Sequence, residues 1–271
     1  MGTNPNHLQM LTSLDIPYLL KDKKVIVTGG GGAIGRATVL LLAGYGAQVV
    51  AAGKNDEPLQ QTRKEAENKG LDIETFVADV SDEQAVRSLI DFTVQTLGGL
   101  TTICNNAAVN LPGDVESVSA EDFRTSMDVN VAGPFYMAKH SIPHLREAGG
   151  GSIINTGSVN SVMAERQLSA YCTSKGAIVM LTRAIAVDYA KEGIRANCLS
   201  VGFVDTPFNH AHYEKLGGVE AATGSLTDGI PMGRGGEPEE IAAATAWLAS
   251  DLSTYVTGAL IPVDGGLTAG F

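Results

Sequence analysis

The chain has 271 residues, of which 44% are hydrophobic, and its 19 basic and 30 acidic side chains give a formal net charge of −11. It can bury a sizeable core, as one large domain or two small ones, and wholesale disorder is excluded. The acidic balance argues against nucleic acid and anionic membranes as partners, because both require a basic face. The three cysteines form no Cys-x-x-Cys pair, so neither a disulfide framework nor a zinc site is expected.

The first 21 residues precede the first strand-like run. They contain no basic region followed by an apolar run, so they do not have the pattern of a signal peptide. The most apolar stretch, ATVLLLAGYGAQVVAAG, is interrupted by Gly44, Gly46 and Gln48, which argues against a membrane span. These features predict a cytoplasmic protein with an N-terminal extension, residues 1–21, and a single domain, residues 22–271.

Seven short apolar runs alternate with helical sequence from Lys23 onwards. They are KKVIVTGG, AQVVAAG, DIETFVADV, LTTICNNAA, GSIINTGS, IRANCLSVG and ALIPVDGG. Strands that are nearly continuous apolar runs and alternate with helices form parallel sheets covered on both faces. The pattern predicts an α/β fold with a doubly wound (Rossmann) parallel sheet of seven strands. Residues 203–236 form a long insertion before the helix predicted over 238–250, and we expect a lid there.

A glycine-rich turn, VTGGGGAIG, lies between the first predicted strand and the helix that follows. In this context glycines let the backbone approach a pyrophosphate, whose charge the helix N-terminus favours. The first and fourth strands of a doubly wound sheet flank its crevice, so the NNAA segment at residues 105–108 should face this turn. After the third strand, Ser81 and Gln84 are expected to cap the next helix, which leaves the Asp79 carboxylate to accept from an adenine amino group.

The end of the second strand bears on the choice of nucleotide. An acid at this position would hydrogen-bond a ribose 2′-hydroxyl and repel a 2′-phosphate. The chain has Gly53 and Lys54 there instead. With no acid and one cation, the sequence favours NADP(H) and leaves NAD(H) open; a solvated surface role for Lys54 is the alternative.

Tyr171 and Lys175 form a Tyr-x-x-x-Lys pair after the fifth strand. Residues four apart share one helix face. Lowering a phenol pKa from ~10 to roughly 7 requires about 4 kcal/mol, and a cation at ~4 Å with an effective dielectric near 20 supplies about that much. Tyr171 could then act as a general acid or base, with Ser158 donating to the substrate oxygen. An ordinary surface pair is the alternative.

Together these motifs resemble the short-chain dehydrogenase/reductase family over residues 20–271. The resemblance rests on the glycine turn, NNAA, Asn130, Ser158, Tyr171 with Lys175, and VGFVDTP at residues 201–207. It implies an NAD(P)-dependent oxidoreductase that interconverts a secondary alcohol and a carbonyl through an Asn130, Ser158, Tyr171 and Lys175 tetrad. It also implies that Lys175 holds the nicotinamide ribose and that the protein is a homotetramer.

The same resemblance, with the pattern above, defines the expected cofactor contacts. They are Gly29, Gly32, Ala33, Ile34, Gly35, Lys54, Asp79, Val80, Asn106, Ala107, Tyr171, Lys175, Val204 and Thr206. Pro134 cannot donate to the carbonyl of Asn130, and the family's proton relay places a water at that carbonyl. The chain departs from the family at Gly157, where a second serine is common.

The substrate pocket should be lined by residues after the fourth and fifth strands and by the lid. The candidate contacts are Asn110, Asn160, Gln167, Phe203 and His210. This mixture of amides and imidazoles favours a small polar substrate such as a sugar, a polyol or a hydroxy acid. His210 and His212 lack a third ligand, so no metal is expected. Two alternatives stay open, a 3-oxoacyl thioester (acyl-carrier-protein) reductase and a non-catalytic nucleotide-binding regulator.

Overall fold

The computed structural model describes residues 19–204, 206–218 and 227–270. The strands are β1 Lys24–Thr28, β2 Gln48–Gly53, β3 Glu74–Val77, β4 Thr102–Asn105, β5 Gly151–Thr156, β6 Ile194–Val201 and β7 Leu260–Val263. The helices are α1 Ala33–Gly44, α2 Asp56–Asn68, α3 Glu83–Leu97, α4 Ala120–Met127, α5 Gly133–Glu147, α6 Ser169–Tyr189, α7 His210–Lys215 and α8 Pro238–Ala249.

All seven strands pair in parallel in one sheet, in the order β3-β2-β1-β4-β5-β6-β7. The predicted doubly wound fold is confirmed. The chain moves outward in one direction from β1 to β3 and in the other from β4 to β7. A crevice therefore opens at the carboxyl ends of β1 and β4, where ligands bind in sheets of this topology.

The residues of β1 show how the sheet divides the core into two layers. Val25 and Val27 join an apolar cluster with residues of α1 and α8, whereas Ile26 joins a second cluster with residues of α3 and α5. Successive side chains of a strand point to opposite faces. A strand covered on both faces therefore needs an unbroken apolar run, which explains why KVIVT shows no polar alternation.

The start of the packed body lies slightly earlier than predicted. Leu20 is fully buried in the first cluster, and its N–H donates to the Tyr45 carbonyl at 3.0 Å. The predicted boundary at residue 22 thus falls after the first core residue. The rest of the predicted extension, residues 1–18, lies outside the described residues, as do residues 205 and 219–226 of the predicted lid. No helix within the described ranges is long and apolar enough to cross a membrane.

The helix around Asn130 differs from a simple proline kink. Between α4 and α5 the chain forms a π-helical segment, Asp128–Ala132, and Pro134 lies in the first turn of α5. A residue without an N–H is tolerated there, and a π-segment widens the turn. A Cβ on Gly133 would lie 2.9 Å from a methyl of Val80, so this glycine lets α5 approach the chain after β3.

Candidate active site

A cavity of about 740 Å³ opens at the carboxyl edge of the sheet, beside β1, β4 and β5. Every residue predicted to contact the cofactor lines this cavity, and so does Ser158. The structure therefore brings the glycine turn, the NNAA segment and the Tyr171 and Lys175 pair to one continuous space.

The glycine turn after β1 is held by the segment after β4. The Thr28 Oγ1 accepts hydrogen bonds from the backbone N–H groups of Asn106 and Ala107 at 3.0 and 3.1 Å. The Asn106 amide donates in turn to the carbonyls of Thr28 and Gly29 at 3.2 and 3.4 Å. Gly29 has a φ of +66°, which glycine adopts without strain. A Cβ on Gly35 would overlap the Gly29 carbonyl oxygen, so only glycine allows α1 to start this close to β1.

The start of α1 fits a bound pyrophosphate. No side chain caps this helix within the described structure, so the first N–H groups are left for an anion. Gly32 lines the cavity, and a Cβ there would meet no protein atom closer than 3.4 Å. The bare backbone thus leaves this space for a ligand. Ala33 is the first helical residue and also lines the cavity.

Lys54 and Asp79 form an ion pair at the end of the cavity that follows β2 and β3, which we call the nucleotide end. The contacts of these two residues correct two expectations. Asp82, not Ser81, caps α3 and accepts from the Gln84 N–H at 2.9 Å. Ser81 instead donates to the Asp79 carboxylate from its N–H and hydroxyl, at 3.0 and 2.6 Å. The Lys54 Nζ lies 2.8 Å from the other Asp79 oxygen although the Lys54 side chain is 74% exposed. The carboxylate is therefore not free, and an acid does face this cation.

These contacts keep Asp79 ionised. Burial raises the pKa of Asp79, but the hydrogen bonds from Lys54 and Ser81 outweigh it and hold the pKa below its ordinary value. The carboxylate in turn raises the pKa of Lys54 through hydrogen bonding and charge attraction.

Arg36 also lines this end of the cavity and donates to the Gly31 carbonyl at 3.2 Å. Sequence reasoning missed Arg36, because its position follows from the turn that brings α1 against α2.

Tyr171 and Lys175 lie on α6 at the deep end of the cavity, beside the end of β5. The Lys175 side chain is buried, and its Nζ donates to the Thr156 carbonyl at 2.7 Å. The same Nζ lies 5.5 Å from the centre of the Tyr171 ring. The Ser158 hydroxyl donates to the Asn160 Oδ1 at 3.0 Å and accepts from the Asn160 N–H at 3.1 Å.

The sequence predicts that Lys175 lowers the pKa of Tyr171. In the chain without a bound cofactor the shift has the opposite direction, so this prediction is wrong there. Burial raises the pKa of Tyr171 well above its ordinary value; hydrogen bonding to Ser158 lowers it only partly, and the charges of Cys172 and Glu165 raise it further. Burial likewise lowers the pKa of Lys175 to about 8. Desolvation by burial is the largest cause for both groups.

Asn130 lies behind the cavity wall rather than on it. Its Oδ1 accepts from the Val109 N–H at 2.8 Å, and its Nδ2 donates to the Val109 carbonyl and the Ser174 hydroxyl, each at 3.0 Å. The side chain is thus occupied in fixing the segment after β4 to α6. Only the backbone carbonyl of Asn130 is left for the predicted proton relay.

The substrate side of the cavity includes three of the five predicted contacts, Asn110, Asn160 and Phe203. Gln167 and His210 do not line it, which corrects the prediction. Gln167 has a φ of +61°, and its amide donates to the Asp114 carboxylate at 3.1 Å outside the cavity. On α7, His212 lines the cavity instead of His210, because residues two apart lie on different faces of a helix.

Glu165 also lines the cavity on this side and was not among the predicted contacts. Its signal was an acidic residue between Ser158 and Tyr171, in a stretch expected to line the pocket. Among the described residues, no three His, Cys, Asp or Glu side chains form a group that could hold a metal ion.

A glycine-lined crevice at the switch point of a parallel sheet, with Ser158, Tyr171 and Lys175 at its deep end, defines a dinucleotide-dependent oxidoreductase. Comparison with known proteins agrees. The family model described as Enoyl-(Acyl carrier protein) reductase matches residues 31–268. The chain belongs to the short-chain dehydrogenase/reductase family, whose members interconvert alcohols and carbonyls with NAD(P).

Three relatives cover nearly the whole chain. A 2,5-dichloro-2,5-cyclohexadiene-1,4-diol dehydrogenase of Sphingobium indicum is 42% identical over 252 residues, which are 92% of this chain and 98% of the relative. A 3-oxoacyl-[acyl-carrier-protein] reductase of Thermotoga maritima is 34% identical, with 92% and 98% covered. The structure of a gluconate 5-dehydrogenase from Burkholderia cenocepacia with NADP and tartrate superposes with a TM-score of 0.87 at 32% identity, covering 94% of this chain and 99% of that chain.

Proposed function

We propose that the enzyme interconverts a secondary alcohol and a carbonyl on a small polar substrate, with NADP(H) as the favoured cofactor. The observation that carries the proposal is the burial of Tyr171 and Lys175 beside Ser158, at the end of the cavity opposite the exposed Lys54. A dinucleotide that extends from the glycine turn would bring its reactive ring to this deep end.

The proposed chemistry assigns one task to each side chain. During oxidation Tyr171 takes the alcohol proton at its phenolate oxygen, and during reduction its phenol returns that proton. The Ser158 hydroxyl turns from Asn160 to donate to the substrate oxygen. Lys175, fixed by the Thr156 carbonyl, stabilises the phenolate. The proton that oxidation leaves on Tyr171 is released to solvent through the relay expected at the Asn130 carbonyl. When bound, the oxidised nicotinamide supplies a positive charge and accepts the hydride.

NADP(H) is favoured by two cations at the nucleotide end. Lys54 and Arg36 both line the cavity there, and no acid closes β2. The 2′-phosphate of NADP(H) would replace the Asp79 carboxylate as the ionic partner of Lys54. The relative from Burkholderia cenocepacia, solved with NADP, supports the same preference.

The decisive test follows nicotinamide absorbance with NAD and NADP across a panel of secondary alcohols, sugars and polyols. Turnover of at least one of them by the wild type is expected. Tyr171→Phe should lower kcat by about 10²–10⁴-fold, the range that a positioned acid or base contributes, with cofactor affinity retained. Tyr255→Phe, which changes a fully exposed phenol, is the matched control. Equal activity of Tyr171→Phe and wild type would refute the assignment.

A second candidate is reduction of 3-oxoacyl thioesters, which the Thermotoga maritima relative favours. The net charge of −11 weighs against it, since an acidic carrier protein would be repelled. Acetoacetyl thioester, added to the same panel with NADPH, separates the two candidates. A chain that binds cofactor but turns over nothing would instead be the non-catalytic regulator.

We also propose a homotetramer in the cytoplasm. Exposed apolar side chains on α4, α5 and α6, among them Phe123, Phe135, Met180 and Val187, offer surfaces for association. Light scattering on the purified full chain measures the assembly, and a monomer would contradict it.

A further inference from the structure

Glu165 places a carboxylate on the wall of the substrate cavity. Its side chain is 30% exposed and lines the cavity together with Asn160 and His212. The Asn160 amide joins Glu165 to the tetrad: its Oδ1 accepts from the Ser158 hydroxyl at 3.0 Å, and its Nδ2 donates to the Glu165 Oε2 at 3.3 Å. The carboxylate therefore lies one amide side chain away from a proposed catalytic hydroxyl.

The second carboxylate oxygen lacks a matching donor among the described residues. The Glu165 Oε1 faces the Nδ1 of His212 at 3.9 Å, which is too long for a hydrogen bond. The His212 Nε2 lies 3.1 Å from the Arg166 carbonyl, and because a carbonyl only accepts, Nε2 carries the proton. The Glu165 Oε1 therefore accepts no hydrogen bond from His212 and faces a gap on the cavity wall, which is where a hydrogen-bond donor of a ligand fits.

We infer that Glu165 is a specificity-determining residue that accepts a hydrogen bond from a second hydroxyl of the substrate, so that the enzyme selects neutral diols and polyols and rejects carboxylates. This inference rests on the proposed function and narrows it. The pocket composition favours sugars, polyols and hydroxy acids as substrates. The inference excludes hydroxy acids from these candidates, because their carboxylate would face the negative charge of Glu165.

The charge of Glu165 also acts on Tyr171, so a change in overall rate does not by itself report recognition. Both substrates of a matched pair feel this effect equally, whereas only the diol can donate to Glu165. The informative quantity is therefore the ratio of kcat/KM for cyclohexane-1,4-diol to that for cyclohexanol, measured with the full chain and excess cofactor.

Glu165→Gln is expected to lower this ratio about tenfold, because a charge-assisted hydrogen bond becomes a neutral one. Glu165→Leu should bring the ratio close to one. Glu214→Gln removes the same charge from an exposed position on α7 and should leave the ratio unchanged. With gluconate, an anionic polyol, Glu165→Gln should raise kcat/KM above the wild-type value.

A wild type that oxidises both cyclohexanol and the diol, with a ratio that Glu165→Gln and Glu165→Leu do not change, overturns the inference and leaves the proposed function standing. A wild type that oxidises no alcohol of the panel, with Tyr171→Phe indistinguishable from it, refutes the proposed function itself. A wild-type kcat/KM for gluconate that equals or exceeds that of Glu165→Gln would also contradict the inference.

Discussion

Lys175→Met tests whether a buried ammonium is maintained at a cost in stability. Lys175 is only 4% exposed, and burial lowers its pKa from the ordinary 10.5 to about 8. At neutral pH it is still mostly protonated, so folding buries a charge. Methionine has a similar length and no charge, and its substitution removes the titration without opening a large cavity.

The magnitude follows from proton linkage. One pKa unit corresponds to about 1.4 kcal/mol, so a fall from 10.5 to about 8 disfavours the charged form by about 3 kcal/mol in the folded chain. Between pH 8 and 10.5 the unfolded chain binds more protons at this lysine than the folded chain does, so stability rises with pH. Below pH 8 the full cost is present. Loss of the hydrogen bond to Thr156 adds a change of about 1 kcal/mol that does not vary with pH.

Denaturant unfolding at several pH values from 7 to 10.5 measures this difference. The free energy of unfolding of the wild type minus that of Lys175→Met should rise by about 3 kcal/mol across the window, while turnover of the variant is lost. Titrating groups that do not interact with Lys175 are present in both chains and cancel, whereas the pKa of Cys198, which the charge of Lys175 lowers, rises in the variant. Lys191→Met, at an exposed position, should show no such pH dependence. Parallel curves for wild type and Lys175→Met would refute the claim that burial disfavours this charge.

Two glycines provide further predictions about packing near the cavity. Gly35→Ala would push a methyl into the Gly29 carbonyl oxygen, so it should lower the free energy of unfolding by about 2 kcal/mol and weaken cofactor binding. Gly44→Ala is the control, because its Cβ would meet no atom within 4 Å. It should leave the free energy of unfolding unchanged or raise it by up to about 1 kcal/mol. Gly157→Ala would place its Cβ 2.6 Å from the Cys198 Sγ and cost about 1–3 kcal/mol; adding Cys198→Ala should recover part of the loss, and a strictly additive double variant would contradict this contact. Both series are measured by denaturant unfolding.

Much of the fold could be predicted because its signals are local. A short run rich in β-branched residues and followed by glycines, such as KVIVT, favours a strand buried on both faces. A glycine turn between a strand and a helix indicates a nucleotide crevice in that context. Tyr171 and Lys175 are four residues apart on one helix, so their shared face follows from helix geometry.

The remaining features depend on contacts between distant segments. The pairing of Lys54 with Asp79 required the ends of β2 and β3 to lie side by side, and the local capping signal at Ser81 suggested otherwise. The positions of Gln167 and His210 depended on a left-handed backbone residue and on the rotation of a short helix. No periodicity in the sequence fixes either of these.

The resting electrostatics of the site oppose the chemistry proposed for it. Burial raises the pKa of the Tyr171 phenol and lowers that of the Lys175 ammonium, and the charge of Glu165 opposes a phenolate still further. Any positive charge that enters the deep end of the cavity reverses this balance, because a cation favours the phenolate and offsets Glu165. Proton transfer at Tyr171 is thereby coupled to the arrival of a positive charge in the cavity, and a chain without ligands keeps its phenol neutral.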